Sequence, residues 1–223
     1  MLDLDVPPYR LTGTVYGCLL NHRPALAALG NGVNEAPYKA APKAPVLYVK
    51  PRNTLCRTGD AVEVPADATE LEVGAALGIV FGRTACRVRQ ADAFAAVAGY
   101  TIVNDVSVPH TSFYRPSIRF RARDGFCPIG PRVVAANNVE NPDQLAVQVW
   151  VDGRLVHTTS TADMIRPVAR LIADVSDFMT LAPGDVLMLG VAAGAPRARA
   201  GQHVAIAIAG LGRLENLFIA APP

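Results

Sequence analysis

Three arginines at alternating positions are the clearest candidate for an anion site. Arg119, Arg121 and Arg123 are separated by Phe120 and Ala122. In an extended segment, alternate side chains point to one side of the backbone, so the three guanidinium groups would form one row. Because a guanidinium pairs well with a carboxylate, the row predicts a di- or tricarboxylate ligand. A solvated edge without a ligand is the alternative.

The four histidines are scattered along the chain. His157 and His203 lie in strand patterns, which favours a structural role, whereas His22 and His110 lie in irregular segments. A histidine pKa of about 6.5 suits proton transfer, so the latter two are the better candidates for it. The sequence contains no phosphate-binding glycine loop, no His-Glu-x-x-His, no Gly-x-Ser-x-Gly and no Cys-x-x-Cys.

Short strands separated by turns must hold these side chains in place. The 18 glycines and 18 prolines are spread along the chain, with apolar runs of strand length between them. Asp152-Gly153 stands between two such runs and predicts a two-residue hairpin, because both residues tolerate the positive φ of a type I′ turn. The predicted strands are Gly13–Leu20, Val46–Lys50, Ala61–Pro65, Leu145–Val151 and His203–Ile208.

Fewer segments favour a helix. Pro24–Leu29 has a proline in its first turn, and Ala91–Ala98 is a second candidate. Ala162–Met179 carries an apolar stripe at period 3.6, which predicts a helix lying on a sheet. Two long irregular segments, Asn31–Pro45 and Asn104–Pro128, are expected to be functional. We therefore predict one β-rich, mixed α+β domain over residues 1–223, with residues 1–12 as a lead-in.

The composition excludes several classes of protein. Hydrophobic residues make up 51% and charged residues 18% of the 223 residues, which favours a buried core over disorder. The 21 basic and 19 acidic side chains leave a net charge of +2, which predicts no nucleic-acid partner. No membrane association is expected, since no apolar run reaches the roughly 20 residues of a spanning helix. Four widely spaced cysteines predict buried thiols and a cytoplasmic location.

Several segments, in order along the chain, resemble the fumarylacetoacetate hydrolase family. The resemblance covers nearly the whole chain and implies a β-rich fold with a rolled sheet and a few flanking helices. It also implies action on 2-oxo acids and their enols. The segments that carry it are Leu19–His22, Val46–Leu55, Gly78–Arg83, Val97–Ser107, Arg123–Pro131, Leu181–Asp185 and Gly210–Asn216.

Three segments, Asn34–Lys43, Lys50–Thr54 and Ser112–Ser117, are similar to family members built as two related halves. Those members isomerise and decarboxylate unsaturated dicarboxylates. The chain has the length of one half and resembles the N-terminal one, which some bacteria encode as a separate subunit. The resemblance implies a homologous sister subunit or a second copy as partner, and a small 2-oxo dicarboxylate as substrate.

A divalent metal, Mg²⁺ or Mn²⁺, is the cofactor that the family implies, held by a Glu-x-Glu pair and a later Asp. Asp105 matches the Asp, but Gly74 and Ala76 occupy the two Glu positions. Glu70 and Glu72 have the right spacing, yet they lie four residues early, about 13 Å along a strand. The first expectation is that the chain binds no metal, and a site of Glu70, Glu72 and Asp105 is the alternative.

Other family positions differ as well. Ala25 and Ala28 stand where a His-x-x-Glu pair is usual, and Arg121 stands where a lysine is usual. Arginine can hold a carboxylate but cannot serve as a base. By the family match, the candidate catalytic residues are Asp105, Arg121 and His22, and the candidate substrate-binding residues are Arg52, Arg119, Arg123 and Tyr114.

The chemical groups differ from the family while its packing and turn motifs persist. The first interpretation is therefore a subunit that keeps the fold and pairs with a metal-bearing half. Two alternatives stay open: an independent metal enzyme of the same family, and a binding protein that holds dicarboxylates without converting them. The sequence does not decide whether this chain is itself an enzyme.

Overall fold

The computed structural model describes residues 13–111 and 117–222. The predicted lead-in, residues 1–12, and the candidate Tyr114 lie outside these ranges. Within them, the α-helices are α1 (Arg23–Ala27), α2 (Ile118–Arg121) and α3 (Val168–Ser176), and short 3₁₀ helices occur between the strands. The strands are β1 (Val15–Leu19), β2 (Val46–Lys50), β3 (Leu55–Arg57), β4 (Val62–Val64), β5 (Leu71–Glu72), β6 (Ala75–Phe81), β7 (Val97–Asn104), β8 (Cys127–Ala135), β9 (Ala146–Val151), β10 (Arg154–Ser160), β11 (Val186–Met188), β12 (Arg197–Ala198), β13 (His203–Ile208) and β14 (Gly212–Ala220).

These strands form two large sheets and one small one. The seven-stranded sheet has the order β2-β1-β11-β6-β7-β8-β3, and the five-stranded sheet has the order β10-β9-β13-β14-β4. β12 and β5 pair separately as a two-stranded ribbon. β6 lies inside the larger sheet and is buried along its whole length, as expected of a central strand covered on both faces. This β-rich, mixed α+β fold with curled sheets confirms the predicted fold class.

The strand predictions are confirmed. Each of the five predicted segments contains a strand, and Val46–Lys50 and His203–Ile208 match in both ends. The predicted hairpin joins β9 to β10, and its two turn residues have positive φ, 50° at Asp152 and 76° at Gly153. That is the backbone geometry of a type I′ turn.

The helix predictions are only partly confirmed. α1 lies where a helix was expected. The helix predicted over Ala91–Ala98 is a 3₁₀ helix over Gln90–Ala96, and it ends earlier than predicted because β7 begins at Val97. Within Ala162–Met179, only Val168–Ser176 is α-helical. Pro167 is the N-cap, and the residue before a proline is disfavoured in helical geometry, so the helix cannot begin earlier. The predicted apolar stripe holds in α3, where Val168, Leu171, Ile172 and Val175 are buried.

The predicted row of three arginines is wrong. The segment forms the helical turn α2, closed by backbone hydrogen bonds from Arg121 to Ser117 and from Ala122 to Ile118. In a helix, residues two apart point to nearly opposite sides. The Arg121 side chain is accordingly 9% exposed, whereas that of Arg119 is 77% exposed.

The cysteines are free thiols, but one of them differs from the prediction. Cys18, Cys56 and Cys127 are buried, and Cys86 is exposed. Burial raises the pKa of the Cys18 thiol to about 12, so this thiol is not a reactive nucleophile. None of the helices in residues 13–111 and 117–222 is long and apolar enough to cross a membrane.

Candidate active site

Asp105 is the centre of a buried charged network. It directly follows β7 and is 2% exposed. Its Oδ1 lies 2.8 Å from Nζ of Lys50, and its Oδ2 accepts hydrogen bonds from Nη1 of Arg121, at 2.6 Å, and from the hydroxyl of Tyr48. Tyr48 and Lys50 are two residues apart on β2, so both side chains leave the strand on the same face. One strand therefore supplies two of the three partners of this carboxylate.

Lys50 is held by three backbone carbonyls. Its Nζ donates to the carbonyl oxygens of Val106, Arg121 and Phe126 at 2.9, 2.9 and 2.8 Å. An ammonium has three donors, and the same Nζ also lies within ion-pair distance of Oδ1 of Asp105. Lys50 thus ties β2 to the segments around α2 and at the start of β8.

Gly17 makes room for Tyr48. The two residues face each other across the β1–β2 ladder, and a Cβ on Gly17 would lie 2.0 Å from Cζ of Tyr48. With no side chain there, the tyrosine ring crosses β1 and reaches Asp105. The guanidinium of Arg121 lies over the same ring, 4.9 Å from its centroid, within the range of a cation–π contact.

A cavity of about 350 Å³ opens above this network. Its volume is in the range of small-molecule sites. Tyr48, Asp105 and Arg121 line it together with Glu72 and Arg197. The remaining walls are apolar apart from the Cys18 thiol and come from the end of β1, from α1 and from the 191–195 loop; they are Cys18, Leu19, Leu20, Ala25, Ala28, Leu29, Val191, Ala192, Ala193, Gly194 and Ala195.

The two carboxyl groups of the cavity have opposite electrostatic surroundings. Burial disfavours the charge of Asp105, but Lys50 and Arg121 outweigh that effect and hold the pKa of Asp105 below its usual value. Burial raises the pKa of Glu72, and the nearby charges of Arg121 and His110 only partly oppose it. Asp105 is therefore a fixed anion, whereas Glu72 is the more easily protonated of the two.

The side chains present do not fit a divalent cation. Mg²⁺ and Mn²⁺ need several converging oxygen donors, and no group of three or more His, Cys, Asp or Glu residues suited to a metal occurs in the described ranges. Both oxygens of Asp105 are already engaged by cationic partners. The alternative ligand Glu70 pairs instead with Arg197 at 2.7 Å and Arg199 at 3.6 Å. The alternative site of Glu70, Glu72 and Asp105 is thus not assembled.

The structure brings Asp105 and Arg121 together but separates the other candidates from them. His22 caps α1, and its Nδ1 accepts from the backbone N–H groups of Ala25 and Ala193 at 3.3 and 3.2 Å. Burial lowers the pKa of His22, in keeping with a neutral structural imidazole. This ring is not among the described residues that line the cavity.

The remaining arginines point elsewhere. Arg119 and Arg123 both pair with Asp67, at 3.3 and 2.8 Å. Arg52 is exposed and borders a separate, smaller cavity beside Gly13 and Leu55. Their predicted roles in substrate binding therefore have no support from their positions relative to Asp105.

Sequence reasoning missed Lys50, Tyr48 and the placement of Glu72 on the cavity wall. The signal for the first two was the alternation in Val46-Leu-Tyr-Val-Lys50, which places Tyr48 and Lys50 on one face of a strand. A lysine at the end of an apolar strand indicates burial only if a carboxylate partner is known. The partner here is 55 positions away along the chain.

The chain is similar to known proteins over nearly its whole length. A family model described as fumarylacetoacetate (FAA) hydrolase C-terminal matches residues 14–219. The bifunctional isomerase/decarboxylase of 4-hydroxyphenylacetate degradation from Escherichia coli is 40% identical over 206 residues. These residues are 92% of this chain and 47% of that protein, so the chain spans about half the length of this curated relative.

Solved structures agree with the sequence match. The 5-carboxymethyl-2-hydroxymuconate delta-isomerase from Mycobacterium smegmatis superposes with a TM-score of 0.81 at 28% identity, covering 96% of this chain and 81% of that one. A maleylpyruvate hydrolase from Sphingobium, solved in complex with manganese(II) ion and pyruvate, gives a TM-score of 0.76 at 25% identity, covering 94% and 71%. The fold is thus shared with a protein that does bind a divalent cation.

Proposed function

The chain belongs to the fumarylacetoacetate hydrolase family, and from that premise we propose that it is the half without a metal site in a two-part isomerase/decarboxylase of 4-hydroxyphenylacetate (homoprotocatechuate) breakdown. Its partner is a homologous, metal-bearing half, and its location is the cytoplasm. The pair would decarboxylate 5-carboxymethyl-2-oxo-hex-3-ene-1,7-dioate and isomerise the resulting 2-hydroxyhepta-2,4-diene-1,7-dioate.

One observation supports this proposal. The cavity is present, but the side chains of Lys50 and Arg121 occupy the positions next to Asp105 that a metal ion would need. Lys50 and Arg121 neutralise that carboxylate, and Gly74 and Ala76 offer no side-chain oxygen. The match to about half of a bifunctional enzyme supports a role beside a second half. A stand-alone metal enzyme would need a donor set that the described residues lack.

Within this half, the residues around Asp105 have assignable roles. Asp105 orients the guanidinium of Arg121 through the 2.6 Å hydrogen bond. Tyr48 contacts both groups, because its hydroxyl donates to Asp105 and its ring lies under the guanidinium of Arg121. Arg121 keeps its charge at any physiological pH, so it can bind a carboxylate but cannot accept a proton. A family metal would polarise a 2-oxo acid, and residues 13–111 and 117–222 contain no donor set suited to hold that metal.

Reconstitution tests the proposal. The purified chain alone, with Mg²⁺, should turn over the dienedioate at less than about one hundredth of the rate of the chain mixed with the metal-bearing half. The reason is that metal-ion catalysis and general acid–base catalysis each raise a rate by about this factor or more. The assay follows the loss of ultraviolet absorbance of the conjugated dienol. Turnover by the chain alone at a rate near that of the mixture would overturn the proposal.

The second candidate is an independent metal enzyme of the same family. The observation in its favour is that Glu72 and Asp105 line one cavity. If the proposed function is right, calorimetric titration with Mn²⁺ at pH 7.5 should show no saturable heat up to millimolar metal. Saturable heat that disappears in Glu72→Gln but persists in Glu63→Gln, an exposed glutamate on β4, would favour the independent enzyme instead.

A further inference from the structure

His22 joins two walls of the cavity through a single ring nitrogen. Its Nδ1 accepts hydrogen bonds from the N–H of Ala25, on α1, at 3.3 Å and from the N–H of Ala193, in the 191–195 loop, at 3.2 Å. Ala25 and Ala193 both line the cavity, whereas His22 is buried and is not among its lining residues. The helix wall and the loop wall are therefore tied to each other by one buried imidazole.

The two donors fix the protonation state of His22. A backbone N–H can only donate, so Nδ1 must be the unprotonated nitrogen of a neutral imidazole, and the proton lies on Nε2. Nε2 is buried and has no hydrogen-bond partner among residues 13–111 and 117–222. Within these ranges, nothing accepts a hydrogen bond from His22 and so stabilises an imidazolium.

Protonation would reverse the role of Nδ1. Both ring nitrogens of an imidazolium carry a proton, so Nδ1–H would face the N–H groups of Ala25 and Ala193. Both hydrogen bonds would be lost, and a buried donor would be left without an acceptor, which is unfavourable. The contact between α1 and the 191–195 loop is thus compatible only with a neutral His22.

The surroundings of His22 also disfavour its charged form. Burial lowers the pKa of His22 below its usual value of 6.5; Asp163 opposes this effect, whereas His157 and Arg23 add to it. The 191–195 loop carries no titratable side chain, and Arg166, near the bridge from His22 to Met164, is paired with Asp174 at 3.0 Å. The charges that face His22 therefore do not outweigh its burial.

We propose that His22 is a positioning residue that makes the cavity sensitive to pH: when neutral it holds α1 and the 191–195 loop together, and when protonated it releases both. The sign follows from linkage. The pKa of His22 is lower while it holds the two walls than after release, so the joined arrangement is favoured above about pH 6.5 and is lost as the pH falls below this value. The equilibrium constant for release should rise by up to about tenfold per pH unit. This inference does not depend on the proposed function.

Labelling of Cys18 measures the release. Cys18 is buried and lines the same cavity, whereas Cys86 is exposed, so the ratio of their labelling rates reports opening within one molecule. With a dithiodipyridine reagent and peptide mass spectrometry, the ratio of Cys18 to Cys86 in the wild type should rise by about tenfold between pH 7 and pH 5. In ¹⁵N–¹H spectra, the amide signals of Ala25 and Ala193 should shift with one common midpoint below pH 6.5.

Asparagine at position 22 separates the charge of His22 from its hydrogen bonds. An asparagine oxygen can accept from backbone N–H groups, as it does at helix N-caps, but the side chain does not titrate. His22→Asn should keep the labelling ratio low at both pH values, and His22→Ala, which has no acceptor, should show a raised ratio already at pH 7. The control His203→Asn, at an exposed histidine of β13, should behave like the wild type.

His157 needs a variant of its own, because its Cε1 would lie 3.9 Å from a Cβ on Gly194, in the same loop. Burial lowers the pKa of His157 as well. His157→Asn should retain the rise in labelling at pH 5, since the hydrogen bonds to α1 and to the loop belong to His22. A constant ratio in the wild type, an equal rise in His22→Asn, a wild-type ratio in His22→Ala at pH 7, or loss of the rise in His157→Asn would overturn the inference.

Discussion

Replacing Lys50 with methionine will lower the free energy of unfolding by roughly 3–5 kcal/mol, the range observed when one partner of a buried ion pair is removed. Methionine keeps the length of the side chain but has no charge and no donor. Asp105 then loses one of its two cationic partners, and three backbone carbonyls lose their hydrogen bonds. Urea unfolding at pH 7 measures the effect.

The destabilisation should depend on pH with a definite sign. Lys50 and Arg121 hold the pKa of Asp105 below its usual value of about 3.9, so the charge of Asp105 stabilises the fold above about pH 4 and this contribution is lost as the pH falls. In Lys50→Met the carboxyl has one cation fewer, and its pKa rises. The difference in the free energy of unfolding between wild type and variant should therefore become smaller as the pH is lowered from 7 to 3.

Two further variants show whether the effect belongs to the ion pair. Lys43→Met makes the same substitution at an exposed lysine and should change stability by less than about 0.5 kcal/mol. Lys50→Met with Asp105→Asn should be less destabilised than the sum of the single variants, by roughly 1–3 kcal/mol, because the residues interact directly. If Lys50→Met lowered the free energy of unfolding by less than about 1 kcal/mol, or if the effects of the single variants were additive, the ion pair between Lys50 and Asp105 would not be an important source of stability.

The sheets could be predicted from the sequence because their signals are local. Alternating apolar residues give β2 and β13, and Asp152-Gly153 gives the hairpin without knowledge of any distant partner. Helix ends were less accessible, since Pro167 stops α3 from extending toward residue 162 through a steric effect on the preceding residue. Local sequence signals therefore predict where a strand or helix lies better than they predict the residues at which it begins and ends.

The site was harder to predict, because it depends on contacts between distant segments. The family match named Asp105 and Arg121, whose side chains the structure brings into contact, but it could not show that Lys50 and Arg121 share the carboxylate of Asp105. The row of arginines failed for a different reason. Alternation is also compatible with a helical turn, and α2 turns Arg119 away from Arg121. Only tertiary structure separates these two geometries.

Restoring glutamate at both family positions, Gly74→Glu with Ala76→Glu, will lower the stability by roughly 4 kcal/mol or more and will not create a Mn²⁺ site. A Cβ at position 74 would lie 2.4 Å from the carbonyl oxygen of Asp105. The N–H of Asp105 donates to the carbonyl of Gly74 at 2.8 Å, so the two backbones cannot separate without losing this bond. Thermal unfolding and calorimetric titration with Mn²⁺ are the measurements.

The second position has a different obstacle. Ala76 is buried in an apolar cluster with Val80, Val103 and Met188. A carboxylate there would be removed from water without a counter-charge, which is strongly unfavourable. Matched controls are Gly32→Glu, where a Cβ meets nothing within 4 Å, and Ala66→Glu, at an exposed position. Both should leave the melting temperature within a few degrees of the wild type.

Adding Arg121→Gln to the double glutamate variant distinguishes two reasons why no metal would bind. One is the close approach of the backbones at residues 74 and 105, and the other is the positive charge of Arg121. If the cation at Arg121 were the sole obstacle, removing it would leave three carboxylates free to converge, and Mn²⁺ would bind and raise the melting temperature. We expect no such rise, because the close approach of residues 74 and 105 is set by the backbone and not by the guanidinium. Metal binding by the triple variant would instead show that this scaffold can still hold a cation and that charge alone excludes it.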